Sequence, residues 1–98
     1  MSQNNKITLI WTVAATADVI RLREFIEPHN KKSAERAADT LKKAAATLLD
    51  YPQIGKPIEN KDEREFPVSF GKKGYVIRYK IHGNIIAILR IWHSLEDK

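Results

Sequence analysis

Apolar and polar positions change period several times along the chain, and each change marks an element. Over Ile7–Val13, Ile7, Leu9, Trp11 and Val13 alternate with Thr8, Ile10 and Thr12. A period of two, rich in β-branched residues, predicts a first strand with one well-buried face. From Ala15 the period lengthens. Ala15, Val19, Leu22 and Ile26 fall at i, i+4, i+7 and i+11, one stripe of a helix, with Asp18, Arg21 and Glu24 off it. Pro28 is expected to end that helix, because its ring clashes with the carbonyl four residues back. Asn30 suits the cap of a second helix, whose interior runs over Ala34–Asp50 with Ala34, Ala37, Ala38, Leu41, Ala45, Leu48 and Leu49 on its apolar side. Its many alanines favour helix and leave room for close packing. Tyr51-Pro52 stops it, and two helices joined by so short a link form an antiparallel hairpin.

The second half of the chain reads differently. Gln53–Glu63 is polar with Gly55 and Pro57 and is expected to be an exposed loop. Arg64–Phe70, a Gly71–Gly74 turn and Tyr75–Ile81 read as a β-hairpin. His82-Gly83-Asn84 then turns the chain into Ile85–Trp92. Tyr75, Ile77, Tyr79 and Ile81 share one face of their strand, and Val76, Arg78 and Lys80 the other. The last strand is apolar on both faces up to Arg90, which places it centrally. Pro67 cannot donate to a ladder and suits an edge strand. The expected architecture is α+β, ordered β-α-α-β-β-β, with a helix hairpin on one face of a small, mainly antiparallel sheet and a second face carrying basic residues.

Composition narrows the chemistry. The chain has 98 residues, one domain's worth spanning 1–98, and no cysteine, which excludes disulfides, thiolate catalysis and cysteine-bound metal centres. Its histidines, His29, His82 and His93, match no common metal spacing, so neither a metal nor a cofactor is expected. The apolar run Ile85–Leu89 is far short of the roughly 20 residues of a membrane span. The polar MSQNNK start shows no signal peptide, so a cytoplasmic location is expected. Seventeen Lys and Arg against twelve Asp and Glu give a net charge of +5. The excess gathers in residues 51–80, through Lys56, Lys61, Arg64, Lys72, Lys73, Arg78 and Lys80. A basic sheet face can hold a phosphate backbone or an acidic protein segment, or can simply be a solvated hairpin.

In this order, the local motifs resemble the RelE/ParE toxin superfamily, and within it the ParE-like "plasmid stabilisation" branch of type II toxin–antitoxin systems. W-T-x-x-A-x-x-D-V stands as Trp11-Thr12, Ala15 and Asp18-Val19. Asn30, Ala34 and Arg36 open the second helix as the family does, with Lys31 where Pro is common. L-x-x-x-P-x-x-G-x-P is Leu48, Pro52, Gly55 and Pro57. Arg64-Glu65 opens the next strand, and G-Y-V-I-R-Y and I-L-R-I-W-H are Gly74–Tyr79 and Ile88–His93. The resemblance implies a growth inhibitor, freed from and neutralised by a cognate antitoxin with which it forms a hetero-oligomer. ParE-like members are associated with poisoning DNA gyrase, RelE-like members with cutting mRNA on the ribosome. A third possibility is a degenerate member that binds but is no longer toxic.

On the RelE-like reading the candidate catalytic residues are His93, Arg64 and Arg78. RNA cleavage needs a base for the 2′-OH, an acid for the leaving oxygen and cations for the phosphate, and a histidine titrates in the useful range. The tail after His93, Ser94–Lys98, lacks the tyrosine of the RelE pattern. On either reading Lys56, Arg64, Arg78, Lys80 and His93 are candidates for one surface gripping a target or an acidic antitoxin segment. Two plainer roles stay open beside these: His93 as a strand-end residue hydrogen-bonded to the helices or solvent, and Arg64 as an ion-pair partner of Glu63 or Glu65. An antitoxin tail would fold on binding, adding a helix across the toxin's helices and an extended segment along Arg64–Phe70.

Overall fold

The computed structural model describes residues 6–26, 30–70 and 73–94. The expectations for Pro28, His29, the Gly71-Lys72 turn and the tail beyond Ser94 lie outside these residues. The elements are β1 (Thr8–Trp11), α1 (Val13–Ile26), α2 (Lys31–Asp50), β2 (Lys56–Pro57), β3 (Arg64–Phe70), β4 (Lys73–His82) and β5 (Ile85–His93). They form a five-stranded sheet in the order β1-β5-β4-β3-β2. β1 runs parallel to β5, and the other pairs are antiparallel. The expected order of elements holds, and β5 is central.

Two expectations need correction. β1 stops at Trp11, and Val13 already belongs to α1. The cause is Thr12, whose hydroxyl accepts from Ala15 N–H at 3.1 Å, capping the helix, and donates to Ile88 O at 2.7 Å. The loop before β3 also contains a strand, β2, pairing Lys56 with Glu65 and Pro57 with Arg64. It covers the start of β3, so the free edge of that strand runs from Phe66.

The second helix forms as its sequence dictates. Asn30 Oδ1 accepts from Ser33 N–H at 3.1 Å, and Tyr51 leaves helical geometry while its N–H still bonds Thr47 O. Ala34, Ala37, Leu41, Ala45 and Leu48 of the expected stripe are buried, whereas Ala38 is half-buried and Leu49, at the edge of the stripe, is exposed. The buried residues close over a core built from Leu22 of α1, Tyr75, Ile77 and Tyr79 of β4, and Ile86, Ile88 and Ile91 of β5. Gly83, at φ 59°, makes the turn between β4 and β5, a conformation that costs a side-chain-bearing residue energy.

Register fixes which side chains share a face, since residues opposite one another point the same way. Tyr79, opposite Arg64 and Ile88, and Tyr75, opposite Val68 and His93, face the helices. Arg78, opposite Glu65 and Arg90, and Val76, opposite Pro67 and Trp92, face away. A bulge lies between these sets. Arg78 pairs with Arg90 but Tyr79 with Ile88, leaving Leu89 as an extra residue in β5. The bulge re-phases the strand, so Ile91 and His93 join Ile86 and Ile88 on the helix side.

Candidate functional site

Arg64 and His93 do not lie on the open face. Arg64 turns toward the helix side, where its Nη1 donates to Gln53 O at 3.2 Å and Gly55 O at 2.7 Å. Beside it the fully buried Tyr79 hydroxyl donates to Pro52 O at 2.7 Å and accepts from Gly55 N–H at 2.8 Å. The 51–55 link is thereby fastened to β3 and β4. Burial pushes the Tyr79 phenol above its ordinary pKa, with the Gly55 hydrogen bond and the Arg64 charge pulling the other way. Gly55 is required here, because a Cβ would sit 2.6 Å from the Tyr79 ring and hydroxyl. His93 is buried near the other end of β4, its ring edge-on to Tyr75 with centroids 5.3 Å apart.

The open face holds the other candidates. Lys56, Glu65, Arg78 and Arg90 form one row across four strands. Arg78 is engaged by its own chain. Its Nη2 meets Glu65 Oε2 at 2.6 Å, its Nε lies 3.8 Å from Glu63 Oε1, and its guanidinium stacks 5.1 Å over the Trp92 ring. Its Nε is buried without a hydrogen-bond partner, but the charge is balanced by these carboxylates and has little to offer a ligand without first giving one up. Lys56 and Lys80 make no ion pair among the described residues. The expected common surface of Arg64, Arg78, Lys80, His93 and Lys56 is therefore split: Lys56, Arg78 and Lys80 on one side, Arg64 and His93 on the other. The split follows from the alternation of β3 and from the β5 bulge.

The most elaborate polar cluster was not foreseen. β5 outruns β1, and where β1 ends α1 lies beside its edge. Asp18, almost fully buried, accepts from Ile91 N–H at 2.8 Å, from Arg90 Nε at 2.8 Å and from Arg90 Nη2 at 3.1 Å. Arg21 Nη2 reaches the same carboxylate at 3.4 Å and donates to Ile91 O at 3.2 Å. Both backbone groups of Ile91 are thus met by side chains of α1 in place of a neighbouring strand. Burial alone would raise the Asp18 pKa. The Arg90 and Ile91 hydrogen bonds, with the charge of Arg90 and the bond from Arg21, outweigh it and hold the carboxyl below its ordinary 3.8. Asp18 in turn raises the pKa of Arg90. The D of the W-T-x-x-A-x-x-D motif is the available signal, but two of its three partners, Arg90 and Ile91, lie more than seventy residues away.

Two further features frame the site. An apolar groove of about 280 Å³ is lined by Trp11, Thr16, Val19 and Lys42, between β1 and the helix hairpin. Among the described residues no three His, Asp or Glu gather where a metal ion could be held, and no helix is long and apolar enough to cross a membrane. The arrangement can present apolar grooves and fixed cations to another macromolecule. Arg64, Arg78 and His93 are not brought to one point, since Arg64 and His93 face the helices and Arg78 faces away from them.

The profile of the family described as the ParE toxin of the type II toxin–antitoxin system parDE matches residues 9–98. Three toxins of Caulobacter vibrioides are similar along most of their length. Toxin RelE1 is 32% identical over 91 residues, covering 93% of this chain and 97% of that toxin. Toxin RelE3 is 34% identical, with 86% and 90% covered, and Toxin RelE2 is 35% identical, with 88% and 93% covered. Among solved structures, a chain of the chromosomal ParDE system from P. aeruginosa superimposes with a TM-score of 0.74 at 20% identity, covering 92% of this chain and 98% of that one. A chain of the RelBE2 toxin–antitoxin complex from Mycobacterium tuberculosis gives 0.62 at 22% identity, with 91% and 99% covered, so both share this fold. Matched from β1 onward in sequence and in strand order, the chain belongs to the ParE toxin family of the RelE/ParE superfamily and is a toxin of the type II toxin–antitoxin class.

Proposed function

We propose that the protein inhibits growth by binding DNA gyrase in the cytoplasm and trapping that enzyme's intermediate, without cleaving RNA itself. A cognate antitoxin, forming a hetero-oligomer with it, holds it inactive. The supporting observation is the separation of Arg64, Arg78 and His93. Acid–base cleavage of a phosphodiester requires the proton donor, the proton acceptor and the stabilising cations around one phosphate. Here Arg64 is spent on the carbonyls of Gln53 and Gly55, Arg78 on Glu65, and His93 packs against Tyr75 on the helix side. The antitoxin has two natural seats. Its helix fits the groove at Trp11 and Val19, and its extended segment fits the free edge of β3 beyond Glu65, with Lys56 and Lys80 as the unpaired cations nearby.

One observation favours a second reading: the similar Caulobacter toxins carry RelE names. On that reading the protein cuts ribosome-bound mRNA, with His93, Arg64 and Arg78 as catalytic residues rearranged on the ribosome. Expression without antitoxin separates the two. Gyrase poisoning gives cleaved DNA and an induced repair response with intact transcripts, whether or not His93 is replaced by alanine. Cut transcripts that disappear in His93→Ala would overturn the proposal in favour of the nuclease, and growth without arrest would mark a member that no longer poisons cells.

A further inference from the structure

Of the arginines on the sheet, Arg64 and Arg78 are consumed by their own chain, whereas Arg90 is held in a different way. Its side chain is 57% exposed although two of its nitrogens are bonded to the buried carboxylate of Asp18. A guanidinium is a planar fork, and Asp18 occupies only the edge made by Nε and Nη2. The edge made by Nη1 and Nη2 is left for a second acceptor, and among the described residues none of this chain's groups is bonded there. Arg21 is anchored to the same carboxylate, which helps hold Asp18 in place behind Arg90. Fixing an arginine from behind lowers the entropy it loses on binding an oxyanion from in front.

The outer surface of α1, the helix that supplies Asp18 and Arg21, says what kind of molecule carries the oxyanion. Val13, Ala17 and Ile20 stand at i, i+4 and i+7 on the outer side of α1, and all three are exposed, Val13 by 88% and Ile20 by 55%. Arg21 follows Ile20 on the flank of this stripe that leads to Asp18. A phosphate backbone has no apolar groups to cover such a stripe, whereas an amphipathic protein segment has both apolar residues and carboxylates. We propose that Arg90, aimed by Asp18 with Arg21 beside it, is a carboxylate-docking point for an acidic, amphipathic segment of the antitoxin, whose apolar side covers Val13, Ala17 and Ile20. The site is separate from Arg78 and from Lys56 and Lys80, and it rests on the reading that an antitoxin neutralises this chain.

The antitoxin encoded beside the toxin, fluorescently labelled, is titrated with the full chain and with Arg90→Gln, Arg90→Lys and Ile20→Ser, at low and high salt. Arg90→Gln should weaken binding about tenfold or more and flatten its salt dependence, and Arg90→Lys should recover only part, since lysine lacks the fork. Ile20→Ser touches neither Asp18 nor the core, so its weakening of the complex tests the stripe without disturbing the fold. Unchanged affinity in both Arg90→Gln and Ile20→Ser, with the wild-type complex intact, overturns the docking site and leaves the antitoxin reading standing. Loss confined to a short single-stranded DNA probe would transfer the site to nucleic acid and equally overturn it. An antitoxin that fails to bind the wild-type chain removes both.

Discussion

Replacing Asp18 by alanine should destabilise the protein by more than any exposed substitution can, and the structure gives the size. The carboxylate is the acceptor of the buried Ile91 N–H at 2.8 Å, and the adjoining strand β1 has already ended at Trp11. An alanine leaves that donor unsatisfied, which costs about 1–3 kcal/mol. The ion pairs add less, because Arg90 and Arg21 are 57% and 43% exposed and regain water when released. Together the loss should be about 2–4 kcal/mol, a fall in Tm of roughly 10–20 °C for a domain of this size. Asp18→Asn should cost less, because its amide oxygen can still accept from Ile91. Asp39, exposed on α2, serves as control, and its alanine variant should stay within about 0.5 kcal/mol of wild type.

Acid adds an independent check on the same residue. The folded-state pKa of Asp18 lies below its ordinary 3.8, so the charged form is favoured by folding. Its electrostatic contribution is complete above 3.8 and drains away as the pH falls through the folded-state value. Guanidinium titrations of wild type and Asp18→Ala at neutral pH and again in acid measure this directly. The gap between them should narrow in acid. A gap below about 1 kcal/mol at neutral pH, or one that does not narrow, would refute the claim that this carboxylate closes the edge of β5.

Two further substitutions test other joints. Gly55→Ala should cost about 2–4 kcal/mol, because the new methyl meets the buried Tyr79 at 2.6 Å and must break its bonds to Pro52 and Gly55; chemical denaturation of the variant checks it. Asn30→Ala should cost about 1 kcal/mol through the lost cap on Ser33 N–H, read as a lower Tm and faster amide exchange in the first turn of α2.

How much the sequence revealed depended on the range of the interactions. The second helix, its Asn30 cap and its stop at Tyr51 were all readable, since each is decided by residues within a turn or two. The faces of β4 were readable because strict alternation from Tyr75 to Ile81 fixes them. β2 was not, because two residues, one a proline, carry no period. Val13 was placed in the first strand since it continues a β-branched run, and only the bonds of Thr12 to Ala15 and Ile88 reveal the break. Arg64 was expected on the basic face, but its side is set by its register opposite Tyr79. His93 went the same way for another reason: a single extra residue, Leu89, reverses the parity of everything after it. Asp18 lies off the apolar stripe of its helix, and its burial is decided by β5, more than seventy residues away.

The parallel pairing of β1 with β5 has a consequence for biosynthesis. The first strand translated lies against the last, and β5 also carries β4 and receives the side chains of α1. Until Ile85–His93 has emerged, β1 has no strand to pair with, Asp18 has no arginine from the sheet, and the core lacks Ile86, Ile88 and Ile91. A growing chain is therefore unable to take up this fold in stages, and a stop codon anywhere before β5 yields a fragment without the strand that joins β1 to the rest of its sheet. The contacts that bring β1 into this sheet are thus long-range ones, and all of them wait on the synthesis of β5.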